Sequence, residues 1–120
     1  MAAPRRLGSL ERAIMDELWE TGGPQTVRQV HRALSAHREL AYSTVMTVLQ
    51  RLAGKSLVVQ IRDHRAYQYA PNHGREELVA DLMFDALHQA RDIGGRHAAL
   101  RHFVTRVGAD EVEALRRALA

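Results

Sequence analysis

The chain contains no cysteine. That absence removes a disulfide framework, a thiolate zinc site and a cysteine nucleophile together, and it agrees with a reducing compartment. No apolar run approaches the roughly 20 residues that a bilayer-spanning helix needs. Residues 1–20 carry Glu11, Asp16, Glu17 and Glu20 and no uninterrupted apolar core, so they do not read as a signal peptide. The expected location is the cytoplasm. Internal repeats and low-complexity tracts are missing as well. So are the marks of common enzymes: there is no GxSxG, P-loop, HExxH or glycine-rich dinucleotide pattern, and nothing points to catalysis. The seven histidines stand at 31, 37, 64, 73, 88, 97 and 102. No two of them have the i, i+4 spacing that sets a ligand pair on one helix face, so no metal and no cofactor is expected.

What is present is globular. At 120 residues, 46% hydrophobic and 26% charged, the chain has the size of one domain, or of a compact domain with a small assembly module. Its net charge of +3 is unevenly spread. Residues 1–74 hold ten Lys/Arg against six Asp/Glu, a net of +4, whereas residues 75–120 hold seven Arg against eight Asp/Glu, a net of −1. The first two thirds therefore suits a polyanion and the last third does not.

Turn residues punctuate the chain at Gly22-Gly23-Pro24, Gly54, Pro71-Asn72-His73-Gly74, Gly94-Gly95 and Gly108. Leu7, Leu10, Ile14 and Leu18 recur at helical spacing, and with Ser9 as N-cap they predict a first helix near 9–20. Thr26 to Gln29 has the form of a capping box, followed by Val27, Val30 and Leu34 on one face; a second helix is expected near 26–37. A third runs from about Ser43 to Ala53 and stops at Gly54. The period then changes to two: Leu57, Val59 and Ile61 alternate with Val58, Gln60 and Arg62, and Ala66 to Ala70 is again rich in strand formers. Two such runs around a polar tip, Asp63-His64-Arg65, predict a hairpin. Three more helical patterns follow, about 75–91, 96–107 and 110–119. The expected fold is mainly α with a small β-hairpin. Three helices and a hairpin make a winged helix-turn-helix domain over 1–73, with a helical dimerisation region over 74–120.

The third helix carries the functional signal. At 100° per residue, Val45, Val48, Leu49 and Leu52 fall on one side, while Ser43, Thr44, Thr47, Gln50, Arg51 and Gly54 crowd into an arc of about 120° opposite. A merely solvated face would favour Glu and Lys. This one has hydroxyls, an amide and a guanidinium but no acid, so a phosphate-lined groove would not repel it. Ser and Thr reach phosphates or base edges, Gln suits adenine, and Arg suits guanine. The hairpin tip repeats the theme with Arg62, His64 and Arg65. Arg5, Arg6, Arg28 and Lys55 are further phosphate candidates. Double-stranded DNA is the expected partner. A winged helix used only for protein contact would instead show an acidic or apolar third-helix face.

The stretch Ala41-Tyr-Ser-Thr-Val-Met-Thr-Val-Leu-Gln-Arg-Leu52, with Lys55, Arg65-Ala-Tyr-Gln-Tyr-Ala-Pro71 and the leading Leu7-Gly-Ser-Leu-Glu11, Met15 and Trp19, resembles the penicillinase repressor (BlaI/MecI-type) family over nearly the whole chain. The resemblance implies a homodimeric winged-helix repressor that binds a palindromic operator and dimerises through its C-terminal helices. It also implies control of β-lactamase or antibiotic-resistance genes, and release through a membrane-bound, β-lactam-sensing protease. Two departures stand out. Staphylococcal-type members are cut at an Asn-Phe bond, and the matching bond here is His102-Phe103. The copper-responsive relatives carry a C-terminal cysteine cluster that this chain lacks. A ligand-responsive regulator without a proteolytic switch stays open as an alternative.

Beyond Gly74 the apolar faces are wide. Leu78, Val79, Leu82, Met83, Ala86, Leu87 and Ala90 form one, Leu100, Phe103, Val104 and Val107 a second, and Val112, Leu115 and Leu119 a third. Short helices cannot enclose so much alone, and exchange with a symmetry mate is the expected solution. The predicted dimer contacts are Leu78, Leu82, Met83, Leu87, Leu100, Phe103, Val104, Leu115 and Leu119.

Overall fold

The computed structural model describes residues 7–63 and 65–120, so the expectations for Arg5, Arg6 and His64 lie outside it. Each helix of the first part forms where an apolar stripe meets a usable end. Helix α1 (Ser9–Thr21) turns Ile14, Met15 and Leu18 inward and stops where Gly22 takes a left-handed conformation (φ 75). Helix α2 (Val27–Ser35) buries Val27, Val30 and Leu34, and its capping box is formed: Gln29 N–H donates to Thr26 Oγ1 at 3.2 Å, and Thr26 N–H to Gln29 Oε1 at 2.9 Å. Helix α3 (Tyr42–Gly54) buries Val45, Val48, Leu49 and Leu52.

Strands β1 (Gln25–Thr26), β2 (Val58–Arg62) and β3 (Tyr67–Pro71) make an antiparallel sheet in the order β1-β3-β2. Val58 pairs with Pro71 at the open end of the hairpin and Arg62 with Tyr67 near its tip, where Asp63 N–H donates to Ala66 O at 3.1 Å. Gln25 pairs with Tyr69. Leu57, Val58 and Tyr69 join the helical side chains in one core, with Tyr69 fully buried.

Helix α4 (Arg75–Leu87) begins against this core: Arg75 Nη1 lies 2.6 Å from Asp16 Oδ1 with its guanidinium over the Trp19 ring, and Trp19 Nε1 donates to His73 O at 3.0 Å. The chain divides into a compact unit ending at Val79 and another over Ala80–Ala120. The second holds the rest of α4, then α5 (Ile93–Arg106) and α6 (Ala109–Leu119). No residue of α5 or α6 is buried. Among the described residues no helix is long and apolar enough to cross a membrane.

The elements depart from the sequence expectations in several places, among them the end of α4, which falls at Leu87 and not near 91. The N-cap of α1 is Gly8, not Ser9, because the carboxylate of Glu11 satisfies the Gly8 N–H (3.0 Å) and does the capping from inside the helix. Strand β1 was not expected, since two residues carry no readable period. Helix α5 starts at Ile93, so Gly94-Gly95 sit inside its first turn; Asp92 caps them by accepting from Gly95 N–H at 2.7 Å. Gly54 closes α3 as expected, and the left-handed residue of the following turn is Ser56 (φ 63).

Candidate nucleic-acid interface

The outward face of α3 is assembled by the core beneath it. Because Val45, Val48, Leu49 and Leu52 are buried, the helix turns Ser43, Thr44, Thr47, Gln50 and Arg51 to the surface, and all five are exposed, as is Tyr42 at its start. Its start is fixed by α2: a His31 ring nitrogen lies 2.7 Å from Leu40 O, and the His31 and Tyr42 rings meet edge to face at 5.9 Å. From Thr21 to Arg62 the chain carries six Arg/Lys and a single acid, Glu39. The surface built from α2, α3 and β2 therefore attracts polyanions.

Two clefts flank the polar ridge of α3. One, of about 550 Å³, lies toward α1 and is lined by Gly8 to Glu11 together with Ser43, Thr44, Thr47, Val48 and Arg51. The other, of about 390 Å³, lies toward the hairpin and is lined by Arg28, Tyr42, Met46, Gln50, Ala66 and Tyr67 among others. Arg28 is exposed on α2, and Arg65 is exposed beside the hairpin tip. The structure thus brings Ser43, Thr44, Thr47 and Arg51 into one cleft, and Gln50 with Arg28 into the other.

Lys55 is placed differently. Its Nζ lies 2.9 Å from Glu11 Oε2, tying the end of α3 to the start of α1. Burial alone would raise the Glu11 carboxyl. The hydrogen bonds from Gly8 N–H and Lys55, with the charges of Lys55 and Arg51, outweigh it and hold the group below its ordinary value. A lysine so engaged contributes less to an anion than its position in the sequence suggests. Glu11 itself was not singled out from the sequence, although its spacing from Gly8 is that of a helix-capping acid. Nor were Tyr42 and Met46, which share one α3 stripe with Gln50 at i, i+4, i+8 spacing.

The described apolar faces of the second part remain open. Met83, Leu100, Phe103, Val104, Leu115 and Leu119 are exposed, Leu82 and Leu87 half-buried, and Met83, Phe84, Leu87, Ala99, Leu100 and Phe103 line an apolar cleft of about 520 Å³. Leu78 departs from this expected set of dimer contacts: it is 3% exposed within the single chain, because the first turn of α4 packs onto the first unit's core. His102 and Phe103 lie inside α5, exposed.

The family described as penicillinase repressor matches residues 7–120. This chain belongs to the penicillinase repressor family. The transcriptional regulator BlaI of Mycobacterium tuberculosis, from strains CDC 1551 and H37Rv alike, is 72% identical over all 120 residues, which span 87% of that protein. The role of that relative is regulatory, not enzymatic. Among solved structures, the DNA-binding domain of the repressor BlaI matches at a TM-score of 0.55 with 22% identity, over 64% of this chain and 93% of that one. The monomeric form of Bacillus licheniformis BlaI in complex with the blaP half-operator matches at 0.52 and 22% identity, with the same coverage of 64% and 93%. At that identity the two speak for the fold alone, a winged helix.

Proposed function

We propose that this penicillinase repressor family member is a sequence-specific transcriptional repressor that binds a palindromic operator as a homodimer. The observation that carries the reading is the exposed outer face of α3, with Ser43, Thr44, Thr47, Gln50 and Arg51 turned outward and no acid among them. Hydroxyls, an amide and a guanidinium on one helix face are the donors and acceptors that major-groove base edges require. Arg28 and Arg65 take adjacent phosphates, and the hairpin follows the backbone beside the groove. Lys55 serves the fold first, through Glu11.

The open apolar faces of α4, α5 and α6 pair with those of a second copy. An isologous dimer sets two recognition helices about one DNA turn apart, which is why the operator is palindromic. The genes controlled are of the β-lactamase or resistance type, and the protein acts in the cytoplasm. Release follows cleavage at His102-Phe103 by a membrane-bound, β-lactam-sensing protease. That bond lies within α5, so several residues of the helix must unwind before a protease can hold it extended.

Selection from a pool of random DNA duplexes tests the core of the proposal. Enrichment of a two-fold symmetric sequence that survives excess random competitor is the expected result. Retention of DNA without any enriched sequence would reduce the protein to a non-specific binder.

A further inference from the structure

The polar ridge of α3 has an apolar flank. Tyr42, Met46 and Gln50 follow one another at i, i+4, i+8 along the side of the helix that faces the hairpin, and Ala66 and Tyr67 close the cleft from the other side. Tyr42 is 48% and Tyr67 47% exposed, high values for large rings beside a well-filled core. Met46 is half-buried and lines the same cleft. Tyr42 meets the His31 ring of α2 on one side, and Val45, Val48, Leu49 and Leu52 seal the helix beneath the strip. A second copy paired through α4, α5 and α6 does not account for a strip that borders the five outward polar residues of α3.

The major groove displays one apolar group, the C5-methyl of thymine, and it is met by apolar side chains. We infer that Met46, walled by Tyr42, receives a thymine methyl in each half-site and is a specificity-determining residue. The inference rests on the operator-binding reading above and adds a base to it. Gln50 stands one helical turn further along the same flank, about 6 Å on, a span of roughly two base pairs. Its amide suits adenine, so the two side chains address A·T pairs about two positions apart, one by hydrogen bonds and one by its methyl. A thioether fits this task, being unbranched and able to adapt to a methyl approaching from the open side.

Thymine and uracil differ only by that methyl, which gives a direct test with the full chain. Operator duplexes enriched from a random pool are remade with deoxyuridine at one thymine at a time, and binding is measured for wild type and Met46→Ala. Wild type should lose affinity about fourfold per half-site at one thymine position, the worth of one buried methyl-sized group. Met46→Ala should bind the thymine and uracil duplexes equally. Met46→Gln, close in volume and suited to a half-buried position, should abolish the same discrimination, and thermal melting checks that both variants fold. If wild type is indifferent to every replacement, or if both variants keep the discrimination, the inference is overturned and the repressor reading stands. If no duplex is enriched at all, both fall together.

Discussion

Replacing Lys55 by Met separates structural from DNA-binding charge. In the structure the Lys55 ammonium lies 2.9 Å from a Glu11 carboxylate whose side chain is only 11% exposed, while Lys55 is itself 42% exposed. Methionine keeps the stem and removes the charge, leaving Glu11 with the Gly8 N–H as its remaining hydrogen-bond donor. A fully buried pair broken in this way loses about 3–5 kcal/mol. Screening at the exposed lysine lowers that toward the worth of an exposed pair, so about 1–2 kcal/mol is expected at neutral pH. For a unit of this size the melting temperature should fall by about 5–15 °C. The pH dependence has a definite sign. Glu11 titrates below its ordinary value of 4.5 in the folded protein, so its contribution is present above that value and is lost as pH falls through the folded pKa. The difference between wild type and Lys55→Met should therefore shrink toward zero in acid. Thermal melts from pH 7 down to pH 3 measure it. The slope of log affinity against log salt for operator DNA should stay unchanged, where a phosphate-binding lysine would shift it by about one unit. A variant with unaltered stability and a shallower slope would refute the reasoning and return Lys55 to the DNA contacts.

Arg65→Ala, by contrast, should make that salt slope shallower by up to about one unit per subunit while leaving sequence preference unaltered, read from binding isotherms at several salt concentrations. Leu100→Asp places a charge on a side chain 44% exposed in the single chain, so it should spare the fold and yield monomers in sedimentation that bind full operators little better than half-sites. Leu82 is a poorer choice, because it is half-buried and a charge there would disturb the single chain as well. Ser56 occupies the left-handed region at φ 63, and Ser56→Gly should stabilise the protein by about 0.5 kcal/mol net, visible as a small rise in melting temperature.

Helices α1, α2 and α3 were legible because each buries one stripe of a periodic pattern. Val45, Val48, Leu49 and Leu52 announced both the core side of α3 and, by exclusion, its polar face. Features made by pairs distant in sequence were not legible. The Glu11–Lys55 contact spans 44 positions, and β1 exists only because Gln25 and Thr26 meet Tyr69 and Gln68. The wing-side flank of α3 was hidden for a related reason. Tyr42 and Met46 read as part of an apolar helix until the hairpin shows which side of them it borders. In α5 the glycine pair misled, since the penalty glycine carries in a helix interior is lessened in a first turn capped by Asp92.

The central claim is that the outer face of α3 reads DNA sequence, and Arg51→Ala tests it most directly. With the enriched operator and a random duplex measured at the same salt, the variant should lose about 1–3 kcal/mol, or roughly fivefold to 160-fold, on the operator and little on random DNA. Equal operator affinities for variant and wild type would contradict the account.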